Sequence, residues 1–328
     1  MDNRLLGRSG IEVSPLGFGC WAIGGPFHDN DRKPLGWGKV DDVESTRAIH
    51  HALDNGITFF DTADAYGCGH SERVLGKALG TRRGDVVIAT KWGNMFDEQS
   101  KTLTGADASV TYLKQAVHGS LERLGTDYLD LYQLHIQPDT KDEAIALREG
   151  CEQLVDEGLI RAYAWSTDDP GRAALFAEGA HCTAVQHSLS VVEDAPEMLE
   201  LCDRLGLGSI NRGPLAMGLL AGRDASRPTG DQDVRTITPG WMRLFKDGIP
   251  TPEFQAMVEA VRDVLTSDGR TLAQGALAWI WARSPRTIPI PGFRTVEQAG
   301  QNAGAMTYGP LRPEQLAEVK YALRMLDD

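Results

Sequence analysis

The sequence predicts a single α/β domain, a (β/α)8 (TIM) barrel with a β-hairpin ahead of it and extra helices at its C-terminal end. Strand-like and helix-like segments alternate through most of the 328 residues, which argues for a parallel sheet with helices outside it. The strand segments are apolar at successive positions, as in strands covered on both faces. About eight of them follow the hairpin, enough to close a barrel rather than leave an open sheet. No linker-like Pro/Ser/Gly tract interrupts the pattern, so residues 1–328 read as one domain.

At the N-terminus, residues 5–6 and 11–13 flank a turn containing Gly7, Ser9 and Gly10, the expected hairpin. A short strand at 16–18 follows. Residues 42–55 have helical spacing and end at Asn55–Gly56. A buried strand is expected at 57–60, and a helix opened by Ser71 and Glu72, with the Ser71 hydroxyl as its N-cap. The alternation continues with strand 85–90, helix 109–124, strand 127–135, helix 141–157, strand 160–165, a helix after Pro170, strand 183–187, helix 194–205 and strand 207–211. Residues 222–250, rich in Gly, Pro, Asp, Thr and Arg, read as a long loop. Helices at 252–267 and 271–282, a strand at 287–290 and two short helices complete the chain.

The formal net charge of −13 excludes nucleic acid and anionic membrane surfaces as main partners. No window of about 18 apolar residues is present, so no membrane span is expected. The opening MDNRLLGRSGIEVSP lacks the apolar core of a signal peptide. The five cysteines are widely spaced and form no CxxC pair, which suits the reduced thiols of a cytoplasmic protein. His28, Asp29 and Asp31 fit no common metal-ligand spacing, and no metal is expected. The chain specifies no oligomeric state.

Gly17-Phe18-Gly19-Cys20-Trp21-Ala22 matches a GxGxxG/A dinucleotide fingerprint in letters only. The fingerprint requires a helix starting inside it, and IGGPFHDNDRKPLGWG cannot supply one. The segment reads as a strand followed by a loop.

In a barrel, chemistry collects at the C-terminal strand ends. Asp61 follows one strand directly and Tyr66 lies in the loop after it; Lys91 follows the next strand, and His135 closes the one after. All four therefore point to one end of the barrel. Hydride delivery to a carbonyl builds negative charge on oxygen, where a proton must arrive. A phenol is a weak acid for this, and a neighbouring ammonium stabilises its ionised form and lowers its pKa. Lys91 suits that task, Asp61 suits holding Lys91, and His135 suits orienting the substrate oxygen.

FDTADAYG, ATK and LYQLH around these four residues resemble the aldo-keto reductases. So do LLGRSGIEVSPLGFG, SERVLGKAL, LERLGTDYLDLYQLH, PLAMGLLAG and IPIPGFRTVEQAGQNAGA, so the likeness, to a bacterial-type, long-chain member, runs nearly the whole length. The resemblance implies a nicotinamide-dependent oxidoreductase acting on a small-molecule carbonyl, with Asp61, Tyr66, Lys91 and His135 as the catalytic tetrad. It implies an extended cofactor, NADP with NAD as the alternative, bound without a Rossmann motif. Ser166, Thr167 and Gln186 match positions at the carboxamide, although Thr167 stands where the family usually has Asn. Arg212, before Pro214 and Leu215, stands where many relatives have an aromatic residue on the nicotinamide. Its guanidinium suits stacking, an anionic group of substrate or cofactor, or a surface salt bridge. Gly292 and Arg294 precede a helix N-terminus, a natural anion site. The resemblance gives Arg294 the 2′-phosphate of NADP and brings Gln298 and Asn302 to the adenosine end.

Trp21, Trp37 and Trp92 are expected to line a substrate pocket suited to a sugar-like or aromatic ring. Two other functions share such a barrel: a cofactor-sensing regulatory subunit, and a lyase or epimerase that uses the nicotinamide transiently.

Overall fold

The computed structural model describes residues 1–222, 230–237 and 243–326. The chain opens with an antiparallel pair, β1 (Arg4–Leu5) and β2 (Glu12–Val13). β3 (Gly17–Gly19), α1 (Asp42–Asp54), β4 (Phe59–Asp61), α2 (His70–Leu79) and β5 (Val87–Trp92) begin the strand–helix alternation. A second antiparallel pair follows, β6 (Asn94–Asp97) and β7 (Thr102–Ala106), then α3 (Val110–Leu124), β8 (Leu129–Leu134), α4 (Lys141–Asp156), β9 (Ile160–Ser166), α5 (Pro170–Phe176), β10 (Cys182–Ser188), α6 (Pro196–Leu205) and β11 (Gly208–Arg212). After β12 (Phe245–Lys246) and β13 (Ile249–Pro250) come α7 (Pro252–Thr266), α8 (Leu272–Arg283), β14 (Thr287–Pro289), α9 (Val296–Gly304) and α10 (Pro313–Arg324). The extra helix α10 packs on α7.

Eight strands form one sheet in the order β14-β11-β10-β9-β8-β5-β4-β3, and every neighbouring pair is parallel. The seam between β3 and β14 is drawn shut beyond the strand end, where Gly19 bridges Gly292 and the Gly19 N–H donates to the Pro291 carbonyl at 3.0 Å. A Cβ at Gly19 would lie 2.8 Å from the Ile290 carbonyl oxygen, and one at Gly17 would lie 2.4 Å from the Phe59 ring. The GxG letters therefore serve barrel closure: only glycine lets the backbones and the interior rings approach so closely.

The pleat decides which residues fill the barrel. Phe59, Ala89, Leu131, Ala162, Ala164, Ala184, Ile210 and Ile288 form its apolar interior, plugged at the N-terminal end by Leu6, Ile11 and Val13 of the opening hairpin. One pleat step further toward the C-terminal end, the inward positions become polar: Asp61, Lys91, Gln133 and Gln186, all buried. Outward residues such as Phe60, Ile88, Tyr132 and Val185 meet the helix layer in a separate apolar cluster.

Side chains cap α1, α3 and α4, where Asp41, Ser109 and Thr140 accept from first-turn amides, the last in a reciprocal box with Glu143. The cap expected at α2 is not formed. This helix starts at His70 after Gly69 (φ +84°) with no side-chain cap. Ser71 lies inside the first turn, and its hydroxyl donates to the Cys20 carbonyl at 2.8 Å. The long loop expected at 222–250 contains a 3₁₀ turn, Val234–Thr236, and the β12–β13 hairpin; residues 223–229 and 238–242 of it lie outside the described residues. The β6–β7 hairpin was not expected, because its short, half-exposed strands lack an apolar run. Among the described residues no helix is long and apolar enough to cross a membrane.

Candidate active site

Asp61 is the last residue of β4, and Lys91 is the inward residue near the end of β5. Lys91 pairs in register with Gln133 on β8. The Lys91 ammonium distributes its protons over three acceptors: Asp61 Oδ1 at 2.5 Å, the Thr62 carbonyl at 2.7 Å and the Tyr66 hydroxyl at 3.1 Å. The other Asp61 oxygen, Oδ2, accepts from Gln133 Nε2 at 2.8 Å and from Gln186 Nε2 at 2.7 Å. His135 follows β8, and its ring meets that of Tyr66 edge-on at 5.9 Å. The four strand-end residues thus share one cluster at the C-terminal mouth. His135 Nδ1 is buried and has no hydrogen-bond partner among the described residues.

Burial is the largest influence on Tyr66, Lys91 and His135. It pushes the Tyr66 phenol above its ordinary value, more than the adjacent Lys91 pulls it down. The expectation of a lowered phenol is thereby reversed, because desolvation of the phenolate outweighs one neighbouring cation. Burial alone would depress Lys91, but Asp61 and Tyr66 raise it, so it stays an ammonium. His135 is driven well below the ordinary imidazole range by burial, then by Lys91 and Arg212, so its ring is neutral.

Arg212 ends β11 on the inward side and lies close enough to act electrostatically on Tyr66 and His135. It forms an ion pair with Asp168, a residue the sequence did not single out, and Nη1 donates to the Gln186 carbonyl at 3.4 Å. The salt-bridge reading describes Arg212 in this structure. Ser166 ends β9 at the same mouth, in register with Gln186. The Thr167 hydroxyl turns to its own loop, where its oxygen accepts from the Asp169 amide at 3.2 Å. Pro214 and Leu215 follow Gly213 (φ +65°), which turns the chain off β11.

Around α9, the Asn302 side chain donates to the Gly292 carbonyl at 3.2 Å, and the Gln298 side chain accepts the Arg294 amide at 2.8 Å. The Arg294 guanidinium grips the carbonyls of Trp37 (3.0 Å) and Lys39 and has no carboxylate partner among the described residues. The first amide of α9, at Val296, donates to the Glu44 carboxylate at 2.9 Å, so part of the expected anion site already holds an internal anion.

The three tryptophans divide. Trp21 stacks on Tyr66 (5.9 Å, 22°), and Trp37 meets Trp21 edge-on at 5.4 Å. Trp92 is not in the pocket: it is fully buried under the helix layer and stacked on Tyr132 at 6.0 Å. Strand alternation is the cause, since Lys91 faces inward and its neighbour must face out. His187, also outward, is held by Ser209 Oγ at 2.7 Å and the Ser188 carbonyl at 2.9 Å, away from the mouth. Gln133, inside the LYQLH run, joins the site without being one of its expected residues; its parity with Leu131 and its place two residues before His135 are the signals that mark it.

The sequence pattern of the Aldo/keto reductase family matches residues 15–324. The chloroplastic pyridoxal reductase of Arabidopsis thaliana is 32% identical over 96% of this chain and 84% of its own length. The holo form of aldo-keto reductase AKR11C1 from Bacillus halodurans superposes with a TM-score of 0.78 at 31% identity, covering 98% of this chain and 96% of the other. An aldo/keto reductase from Klebsiella pneumoniae, solved in complex with NADP and acetate, gives 0.73 at 25% identity, covering 98% and 95%.

Proposed function

The chain belongs to the aldo/keto reductase family, and from that premise we propose an NADP(H)-dependent reductase of aldehydes and ketones, reversible as an alcohol dehydrogenase, with Tyr66 as the proton donor. The observation that carries this reading is the Lys91 ammonium bridging the Asp61 carboxylate and the Tyr66 hydroxyl at the open end of the barrel.

The residues present fit a bound nicotinamide. Gln186 must turn its NH2 toward Asp61, since a carboxylate only accepts, and this leaves its Oε1 as an acceptor for a carboxamide. The Ser166 hydroxyl beside it supplies a donor, and the Arg294 guanidinium, bonded among the described residues to the Trp37 and Lys39 carbonyls, can take up a phosphate. Arg294 favours NADP over NAD. The NADP complex of the Klebsiella relative supports the same choice. Bound there, the cofactor supplies the hydride.

The rest is the work of side chains. A raised phenol keeps Tyr66 protonated at neutral pH, the form needed to donate to a substrate oxygen as charge builds on it. The Lys91 ammonium stabilises the phenolate left behind. Neutral His135 offers one N–H to orient the carbonyl. Trp21, stacked on Tyr66, sets an indole beside the hydroxyl and suits an aromatic or sugar-like substrate, and the pyridoxal reductase relative is named for an aromatic aldehyde.

The test is a fluorescence titration with NADPH and, separately, NADH, followed by a carbonyl screen. Tight NADPH binding with turnover of an aldehyde or ketone is expected. Binding of neither nucleotide overturns the reading.

A further inference from the structure

We propose that Gln133 is a positioning residue for proton transfer: by holding Asp61 Oδ2 it reserves one Lys91 proton for the Tyr66 hydroxyl. The proposal rests on the reductase reading for its reaction and on the interior geometry for its argument.

Gln133 is fully buried in the barrel, one pleat step above Leu131 and in register with Lys91 and Ala164. Burying an amide is costly unless both of its ends are bonded. Here they are. Nε2 donates to Asp61 Oδ2 at 2.8 Å, and Oε1 accepts from Gln186 Nε2 at 3.2 Å. The amide has one possible orientation, because the carboxylate it faces can only accept.

The consequence follows from counting donors and acceptors. An ammonium has three protons. At Lys91 they go to Asp61 Oδ1, the Thr62 carbonyl and the Tyr66 hydroxyl. A carboxylate free to rotate would present both oxygens to the ammonium and draw away the proton shared with Tyr66. Two amide donors on Oδ2 prevent that rotation: Gln186 supplies one and Gln133 the other. Gln133 also accepts from Gln186, so it keeps that second amide aimed at Asp61. The phenol then retains the cation that stabilises its ionised form.

The decisive variant is Gln133→Met, which keeps the length of the side chain and removes its hydrogen bonds. The expected result is a kcat lowered about tenfold, the scale of one hydrogen bond at the reacting centre. The basic limb of the alcohol-oxidation pH profile should move up by roughly half a pH unit or more, since a phenol less stabilised by Lys91 ionises later. KM and NADPH affinity should stay within about twofold, because Gln133 is fully buried beneath the mouth and is not itself one of the residues that would touch substrate or cofactor. A merely structural role would lower stability without moving the pH limb. If Gln133→Met does not fold, Gln133→Asn retains an amide that falls short of Asp61 and is expected to show the same shift.

An unmoved limb with unchanged kcat overturns the proposal and leaves the reductase reading standing. If the wild-type chain turns over no carbonyl, the reductase reading fails instead. A crystal structure of Gln133→Met then decides: Lys91–Tyr66 opened beyond 3.5 Å, from 3.1 Å now, supports the role of Gln133, and an unchanged distance ends it.

Discussion

Lys91 Nζ sits 2.5 Å from the Asp61 carboxylate and 3.1 Å from the Tyr66 hydroxyl, and it is fully buried. A buried ammonium needs partners for all of its protons. Here the carboxylate and a backbone carbonyl satisfy two, and the third is committed to Tyr66, the group proposed to exchange a proton with substrate.

Tyr66→Phe removes that proton and leaves the Asp61–Lys91 pair in place. Turnover should fall by about 10²–10⁴-fold, the usual range for losing a general acid. NADPH affinity should change little. Steady-state kinetics with a fluorescence titration checks both, and turnover equal to wild type would remove Tyr66 as donor.

The pH dependence should differ between the two directions. Burial raises the Tyr66 phenol, so it stays protonated across the neutral range, and carbonyl reduction should be flat there. Alcohol oxidation needs the phenolate as base and should climb toward and beyond pH 10, the ordinary phenol value. Buried His135 is neutral well below its ordinary range, so neither profile should bend near pH 6.5. An inflection there, lost in His135→Gln, would contradict this.

Arg294→Ala should weaken NADPH by about ten- to a hundredfold, the worth of a charge-assisted phosphate contact. NADH should be affected far less. Parallel titrations of both nucleotides measure the difference, and equal losses would mean that Arg294 acts by holding the Trp37–Lys39 segment instead.

Acid should destabilise the fold partly through His187. Burial lowers its folded value to about 4, against about 6.5 for the unfolded chain. The neutral form is the one favoured by folding, so this contribution is fully present above pH 6.5 and is lost as the pH falls toward 4. Its full size is on the order of 3 kcal/mol. Thermal melts of the wild type and His187→Gln between pH 7 and 4.5 test it, with a shallower acid decline expected for the variant.

The alternation of apolar runs and helical spacing was enough to determine the barrel, and the strand-end places of residues 61, 66, 91 and 135 were enough to bring their side chains together at one end of it. Both signals are local, since strand periodicity and strand-end position survive in a linear string. The GxG segment also yielded to local reasoning as a false fingerprint, but its purpose did not: the contacts that forbid a Cβ at Gly17 and Gly19 come from Phe59 and Ile290, far along the chain. Only the closed barrel decided that Trp92 faces away from the mouth, that Arg212 is met by Asp168 and that Glu44 reaches the start of α9. The same closure set the direction of the Tyr66 shift, because desolvation depends on everything packed around the phenol. It also brought Gln133 and Gln186, on non-adjacent strands, onto one oxygen of Asp61. Such pairings depend on which residues share the barrel interior, and that is settled by closure and register rather than by any stretch of sequence.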